Sequence, residues 1–138
     1  MVATFRVEVT TRGQGDAADV TGEVTRAVGA SGLARGIVTV FVVGSTAGVT
    51  TMEYEPGVVA DLDRALERVA PRYADYGHHR RWGDDNGSSH VRAAVVGPSL
   101  TVPFVDGSLV LGTWQQIVVV ELDTRPRTRE LVVQVTGE

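Results

Sequence analysis

The chain has three histidines, and all fall within one stretch of 13 residues: His78, His79 and His90. Asp84, Asp85 and Asn86 stand between them. Imidazole and carboxylate without thiolate make a donor set for a divalent cation such as Mg or Zn, with positions left open for water or substrate. Neighbouring side chains on an extended backbone point apart, so one of His78 and His79, rather than both, is expected to meet His90. The plainer reading is a solvated polar loop whose histidines cluster by chance.

Other groups could complete such a site. Ser45 and Thr46 sit in the turn Gly44-Ser45-Thr46-Ala47-Gly48, where hydroxyls and backbone N–H groups can hold an anion such as phosphate. The same residues also suit an ordinary hairpin turn. Glu53 follows that turn, as a general base, a metal ligand or a solvent-facing strand residue. Trp114 could stack on an aromatic ring between two polar anchors, Thr113 and Gln115, or simply fill a core or an interface. Arg92 lies two positions beyond His90, on the same face if the segment is a strand. There it could clamp a phosphate beside the metal, or make a cross-strand ion pair.

The elements that must position these residues are legible as hydrophobic periodicity. Residues 2–10 alternate as a half-buried strand. Asp16 is expected to cap a helix to about Ala30, with Val20, Val24 and Val28 on one face. Residues 36–43 read as a buried strand and 49–54 as the next. Pro56 and Gly57 open a second helix to about Val69, with Val58, Val59, Leu62, Leu66 and Val69 on its stripe. Residues 71–89 read as a long polar loop, the kind that is usually functional or disordered. Strands are expected at 90–96, 99–104, 108–111, 115–122 and 129–136. The whole is a single α+β domain over residues 1–138. It has mostly antiparallel β-sheets of about eight strands and two helices in the N-terminal half. Ile117-Val118-Val119-Val120 is apolar on both faces, so either two sheets pack together or an oligomer covers the remainder.

Composition narrows the chemistry. With 138 residues, 43% hydrophobic and 22% charged, the chain has the makeup of one globular domain. It has no Cys, which excludes disulfides, thiolate metal sites and Cys nucleophiles. All 13 basic residues are Arg, so Schiff-base chemistry and a Lys-based phosphate loop are excluded as well. The net charge of −4 argues against a nucleic-acid partner. No apolar run approaches the roughly 20 residues of a membrane span, so no membrane partner is expected. The first residues lack a signal-peptide pattern, and a cytoplasmic location is expected.

The blocks GIVTVFV–GSTAGVTTMEYEPG, DDNGSSHVRAAVVGPSLTVPFVDGSLVLGTWQQIVVVELD and RELVVQVTGE resemble the YjbQ-like family of secondary thiamine-phosphate synthases, over about residues 5–138. The most specific parts are His90 with Gly97-Pro98-Ser99, and Gly112-Thr113-Trp114-Gln115. The resemblance implies a small α+β protein that forms a homotrimer, with polar residues near subunit boundaries. It also implies a metal-assisted condensation of a pyrimidine pyrophosphate with a thiazole phosphate, an activity regarded as secondary. The expected metal ligands are His78, His79, His90 and Asp85. Glu53, His90 and Arg92 are the expected catalytic residues. Ser45, Thr46, Asn86, Thr113, Trp114 and Gln115 are expected to bind the phosphorylated substrate. The sequence departs from the family pattern at Gly44, where many members have His, and at Met52, where many have Asn. A non-catalytic trimer that binds metal or a phosphometabolite is the alternative.

Overall fold

A computed structural model describes all 138 residues. In chain order the elements are β1 (Val2–Thr10), β2 (Ala17–Asp19), α1 (Thr21–Ser31), β3 (Arg35–Val43), β4 (Ala47–Met52), α2 (Pro56–Val69), α3 (Gly77–Trp82), α4 (Gly87–Val96), β5 (Ser99–Val105), β6 (Ser108–Leu109), β7 (Gln116–Glu121) and β8 (Thr128–Gly137). Five strands form one sheet in the order β1-β8-β3-β5-β6, and three form a second in the order β2-β7-β4. Every pairing is antiparallel.

The main core lies between the two sheets and α1. Val38, Val40 and Val42 of β3 and Val133 and Val135 of β8 meet Val24 and Val28 of α1 and Ile117 and Val119 of β7, all nearly inaccessible to solvent. The other face of β7 presents Val118 and Val120 to Leu66 of α2 and Ala93 of α4. The smaller sheet is therefore covered on both sides within one chain, by the larger sheet and by two helices. That explains the unbroken apolar run at 117–120, and it is the two-sheet solution anticipated above.

Three expectations are corrected. The helix expected from Asp16 begins at Thr21, preceded by the short strand β2. Asp16 instead braces the turn before β2, accepting from the Arg12 and Ala17 N–H groups. The second correction matters more for function. Residues 90–96, expected as a strand, belong to helix α4. Val91, Val95 and Val96 favour a strand locally, but a helix brings Ala93 and Val96 beside Leu66 to cover Val118 and Val120 of β7. Ser89, Arg92 and Ala93, spaced three and four apart, supply a buried helical face. The stretch expected as one long loop also contains the short helix α3.

Candidate functional site

Helix α4 sets the geometry of the histidine cluster. At about 100° per residue, His90 and Arg92 lie roughly 200° apart around the axis and cannot share a face. Arg92 turns into the protein and is fully buried. Its Nε donates to Ala70 O at 2.9 Å, and its Nη atoms reach Glu67 Oε2 at 2.5 Å and Asp63 Oδ1 at 3.4 Å. It ties α4 to the C-terminal half of α2 and is out of reach of any ligand beside His90. Its expected catalytic role is withdrawn on that ground.

His90 points the other way. Its ring lies 4.3 Å from that of His78, centroid to centroid, tilted by 43°. The His78 Nε2 stands 3.1 Å from Asp84 Oδ1 without the alignment of a hydrogen bond, so it has no partner. His79 diverges from this pair. Its Nε2 accepts the Gly87 N–H at 3.0 Å, and its ring packs edge-on against Tyr76. Gly87 is required for that approach, because a Cβ there would stand 2.5 Å from Tyr76 Cβ and 2.9 Å from His79 Nε2. Of the adjacent histidines, His78 faces His90 and His79 faces the helix start. Asp85 lies with His79, not with the His78–His90 pair.

Asp123 adds a carboxylate near the histidine cluster. It lies two residues past β7, where nothing in the sequence singles it out. Burial disfavours its charge, but the Thr124 N–H, the Thr46 hydroxyl, Arg127 and the Asn86 side chain together hold its carboxyl below the usual range. Thr46 Oγ1 donates to Asp123 Oδ2 at 3.1 Å, and Arg127 Nη1 reaches the same oxygen at 2.5 Å. Burial, and then the neighbouring His78, hold the His90 imidazole below its ordinary value, against the opposite pull of Asp123 and Asp84. His90 is thus kept neutral, the form that can accept a proton or ligate a metal.

The Thr46 turn rests on a buried ion pair. Arg129 donates through Nε to Glu121 Oε1 at 2.8 Å and through Nη2 to Thr46 O at 3.0 Å and Thr46 Oγ1 at 2.8 Å. Thr11 Oγ1 and the Leu122 and Asp123 N–H groups also donate to the Glu121 carboxylate. Gly44 has φ +151°, and a Cβ there would stand 2.8 Å from Arg129 Nη1. The guanidinium thus borders the space in which any side chain at position 44 would begin. Thr46 is buried with its hydroxyl already engaged, while Ser45 beside it is exposed.

The remaining candidates lie elsewhere. Glu53 is exposed just past the end of β4. Thr113 and Trp114 are exposed in the β6–β7 connection, and 71% of Trp114 is accessible. Gln115 spends its amide on the Gly112 N–H and on Thr51 Oγ1. Thr46 precedes the start of β4 and Glu53 follows its end, so the two groups are about 20 Å apart along the strand. The expected site is therefore split in one protomer: Thr46, His78, Asn86 and His90 at one end of the smaller sheet, Glu53 and Thr113–Gln115 at the other. The largest cleft, about 790 Å³, holds neither group and is lined by Arg12, Asp16, Tyr54, Glu55, Val59 and Asp63 among others.

Four buried side-chain atoms have no hydrogen-bond partner: His78 Nε2, Asn86 Oδ1, Ser88 Oγ and Ser89 Oγ. All lie in α3 or around the first turn of α4. Ser88 and Ser89 were not singled out in the sequence, where they read as loop serines. The available signal was Asn86-Gly87-Ser88-Ser89 as a helix start.

Comparison with known proteins agrees with the fold and the residues. The family model described as UPF0047 protein, YjbQ-like, matches residues 5–138. The chain belongs to the YjbQ-like family. A UPF0047 protein of Methanothermobacter thermautotrophicus is 41% identical over 120 residues, covering 87% of this chain and 82% of that protein. YugU of Bacillus subtilis is 31% identical, over 99% of this chain and 100% of its own. Among solved structures, a protein of unknown function from Sulfolobus solfataricus superposes with a TM-score of 0.89 at 29% identity, over the whole of both chains. A Clostridium acetobutylicum member superposes with a TM-score of 0.86 at 33% identity, over 96% of this chain and 99% of that one. No helix here is long and apolar enough to cross a membrane.

Proposed function

We propose that this YjbQ-like protein binds a phosphorylated small molecule, together with a divalent cation, at the cluster formed by His78, Asn86, His90 and Asp123. The observation that carries this reading is the set of partnerless polar atoms. A buried polar atom without a partner costs about 1–3 kcal/mol, so four of them in two neighbouring segments ask for a ligand. Two of them, His78 Nε2 and Asn86 Oδ1, are acceptors when the imidazole is neutral at that nitrogen, and acceptors without donors suit a cation. The residues that would hold it are His78 and His90 with Asp84; His79 and Asp85 face away. No three His, Asp or Glu side chains already converge on one point, so water, the ligand's phosphate or a neighbouring chain would complete the shell. Such a cation would neutralise phosphate charge. The chain itself contributes a neutral imidazole at His90, a carboxylate at Asp123 oriented by Thr46 and Arg127, and the exposed Ser45 hydroxyl at the rim.

The reaction that fits this chemistry is thiamine-phosphate formation. In it a thiazole nitrogen forms a bond to the pyrimidine methylene carbon, the bond from that carbon to the pyrophosphate oxygen breaks, and pyrophosphate leaves. Little is asked of the protein beyond charge neutralisation and positioning. Glu53 and Trp114 can serve that reaction only from a second protomer, because in one chain they sit at the far end of β4. A homotrimer with sites at its boundaries would satisfy this. The second reading, a trimer that binds without turnover, is favoured by the incomplete cation shell and by the withdrawal of Arg92.

The test uses protein purified without a histidine tag. Zn and Mg binding are measured by equilibrium dialysis, and thiamine phosphate formation from the two precursors by chromatography. Binding and turnover that both disappear in His90→Ala support the synthase reading. Binding without turnover supports the second reading. Wild-type protein that takes up neither metal nor phosphorylated ligand rules out both.

A further inference from the structure

The first turn of α4 contains a second set of unmet hydrogen bonds, distinct from the His78–His90 pair. Ser88 is 1% exposed, and its Oγ has no partner. Its backbone N–H has none either. Of the other N–H groups in that turn, Gly87 donates to His79 Nε2, and Ser89 and His90 both donate to Asn86 O. Asn86 provides no side-chain cap. A ten-residue helix thus starts with both a free N–H and a free hydroxyl on one buried residue.

Ser88 lines a cavity of about 410 Å³, together with Gln14, Arg72, His79, Asp85 and Thr124. The walls are rich in donors. Because His79 Nε2 accepts from Gly87, the proton of its neutral ring is on Nδ1, which makes that nitrogen a donor. The Arg72 guanidinium lies on the wall, its charge shared with Asp63 and Glu67 and its Nε bonded to Gln14 Oε1. Asp85 is the one carboxylate on the wall. A helix N-terminus with a free N–H and a free hydroxyl on one buried residue, beside His79 and Arg72, describes an anion site.

We infer that this cavity is a phosphate subsite, in which the Ser88 N–H and hydroxyl grip a phosphate or phosphomonoester group while His79 and Arg72 flank it. The inference rests on the reading that the ligand is phosphorylated, and deepens it. It moves the phosphate grip from Arg92 and the Thr46 turn to the start of α4. It also gives His79 a task other than holding a metal. The cavity exceeds a phosphate in size, so the remainder accommodates the organic portion of a phosphomonoester. Asp85 opposes the anion and weakens its hold.

The probe is inorganic phosphate, titrated calorimetrically in a phosphate-free buffer against the full-length chain, with methyl phosphate as the ester arm. Ser88→Ala removes one charge-assisted hydrogen bond and is expected to weaken binding about tenfold. Ser88→Asp places a negative charge in the grip and is expected to abolish binding. Asp85→Asn is expected to tighten it several-fold. Zn uptake should be unchanged in all three, since none belongs to the His78–His90–Asp84 set. Ser88→Ala should also not lower the thermal unfolding temperature of the unliganded chain, because its hydroxyl has no partner inside the protein. That outcome separates a ligand-gripping hydroxyl from a structural one. Wild-type affinity in both Ser88 variants would overturn the subsite while leaving a phosphorylated ligand elsewhere on the cluster intact, and His90→Ala would then be the variant that loses phosphate. No phosphate binding by the wild-type chain would overturn the subsite and the phosphorylated-ligand reading together, leaving metal uptake as a separate result.

Discussion

Two polar clusters are buried to the same depth in this protein, and they differ in one respect. Around Glu121 and Arg129, both carboxylate oxygens accept at least two donors, and the guanidinium is shared between Glu121 and Thr46. Around the start of α4, Ser88 and Ser89 are equally inaccessible, yet their hydroxyls meet nothing. A fully satisfied network adds rigidity and fixes one arrangement of the β3–β4 turn against β7 and β8. An unsatisfied one is a cost that folding alone does not recover. The first cluster is a support, and the second is where the proposed ligand would bind. Burial and polarity do not separate them; the count of unmet hydrogen bonds does.

The largest effect should come from breaking the satisfied cluster. Arg129→Ala leaves Glu121 buried without its ion partner and is expected to cost about 3–5 kcal/mol in chemical denaturation. Arg92→Met should cost less, about 1–3 kcal/mol. Its carboxylate partners are about a third exposed and keep Arg72, so the main loss is the bond to Ala70 O. An Arg92 variant that kept full stability yet lost ligand affinity would return Arg92 to the site and undo the distinction drawn here.

Acid should act through His90. Its folded value lies below the ordinary 6.5, so the unfolded chain takes up the proton first. Stability should be flat above about pH 6.5 and should fall as pH drops from there toward the folded value. His90→Asn should flatten that slope between pH 5 and 7, measured as denaturation midpoints in urea. Asp123 behaves in the opposite region. Its lowered value supplies stability that is present above about pH 3.8 and is lost as pH falls below it, and Asp123→Asn should remove that loss. The smallest expected loss is for Ser89→Ala, which should be at least as stable as wild type, since no intramolecular bond is given up. A large loss there would place Ser89 in the supporting class.

Much of the frame was readable along the chain. The alternation of β1, the apolar β3, the stripe of α2 and the turns around them each follow from residues that are neighbours in sequence. Helix α4 was not readable in that way. Its valines favour a strand, and only the packing of Ala93 and Val96 over Val118 and Val120 of β7 makes a helix the better use of the segment. That one difference reversed Arg92 and split Ser88 from His90. It also decided which histidine meets which.

The sequence by itself determined that a metal site would have to use His, Asp, Glu or water and that every fixed cation is an Arg, since Cys and Lys are absent. It also placed all three histidines, His78, His79 and His90, within one stretch of 13 residues. Only the tertiary structure decided that His78 pairs with His90, that His79 serves a different cavity, that Asp123 joins from a turn more than 30 residues downstream, and that Arg92 is a strut. The reason is physical. Residue types limit what bonds a side chain can make, but the packing of distant segments decides which of those bonds are left unmade.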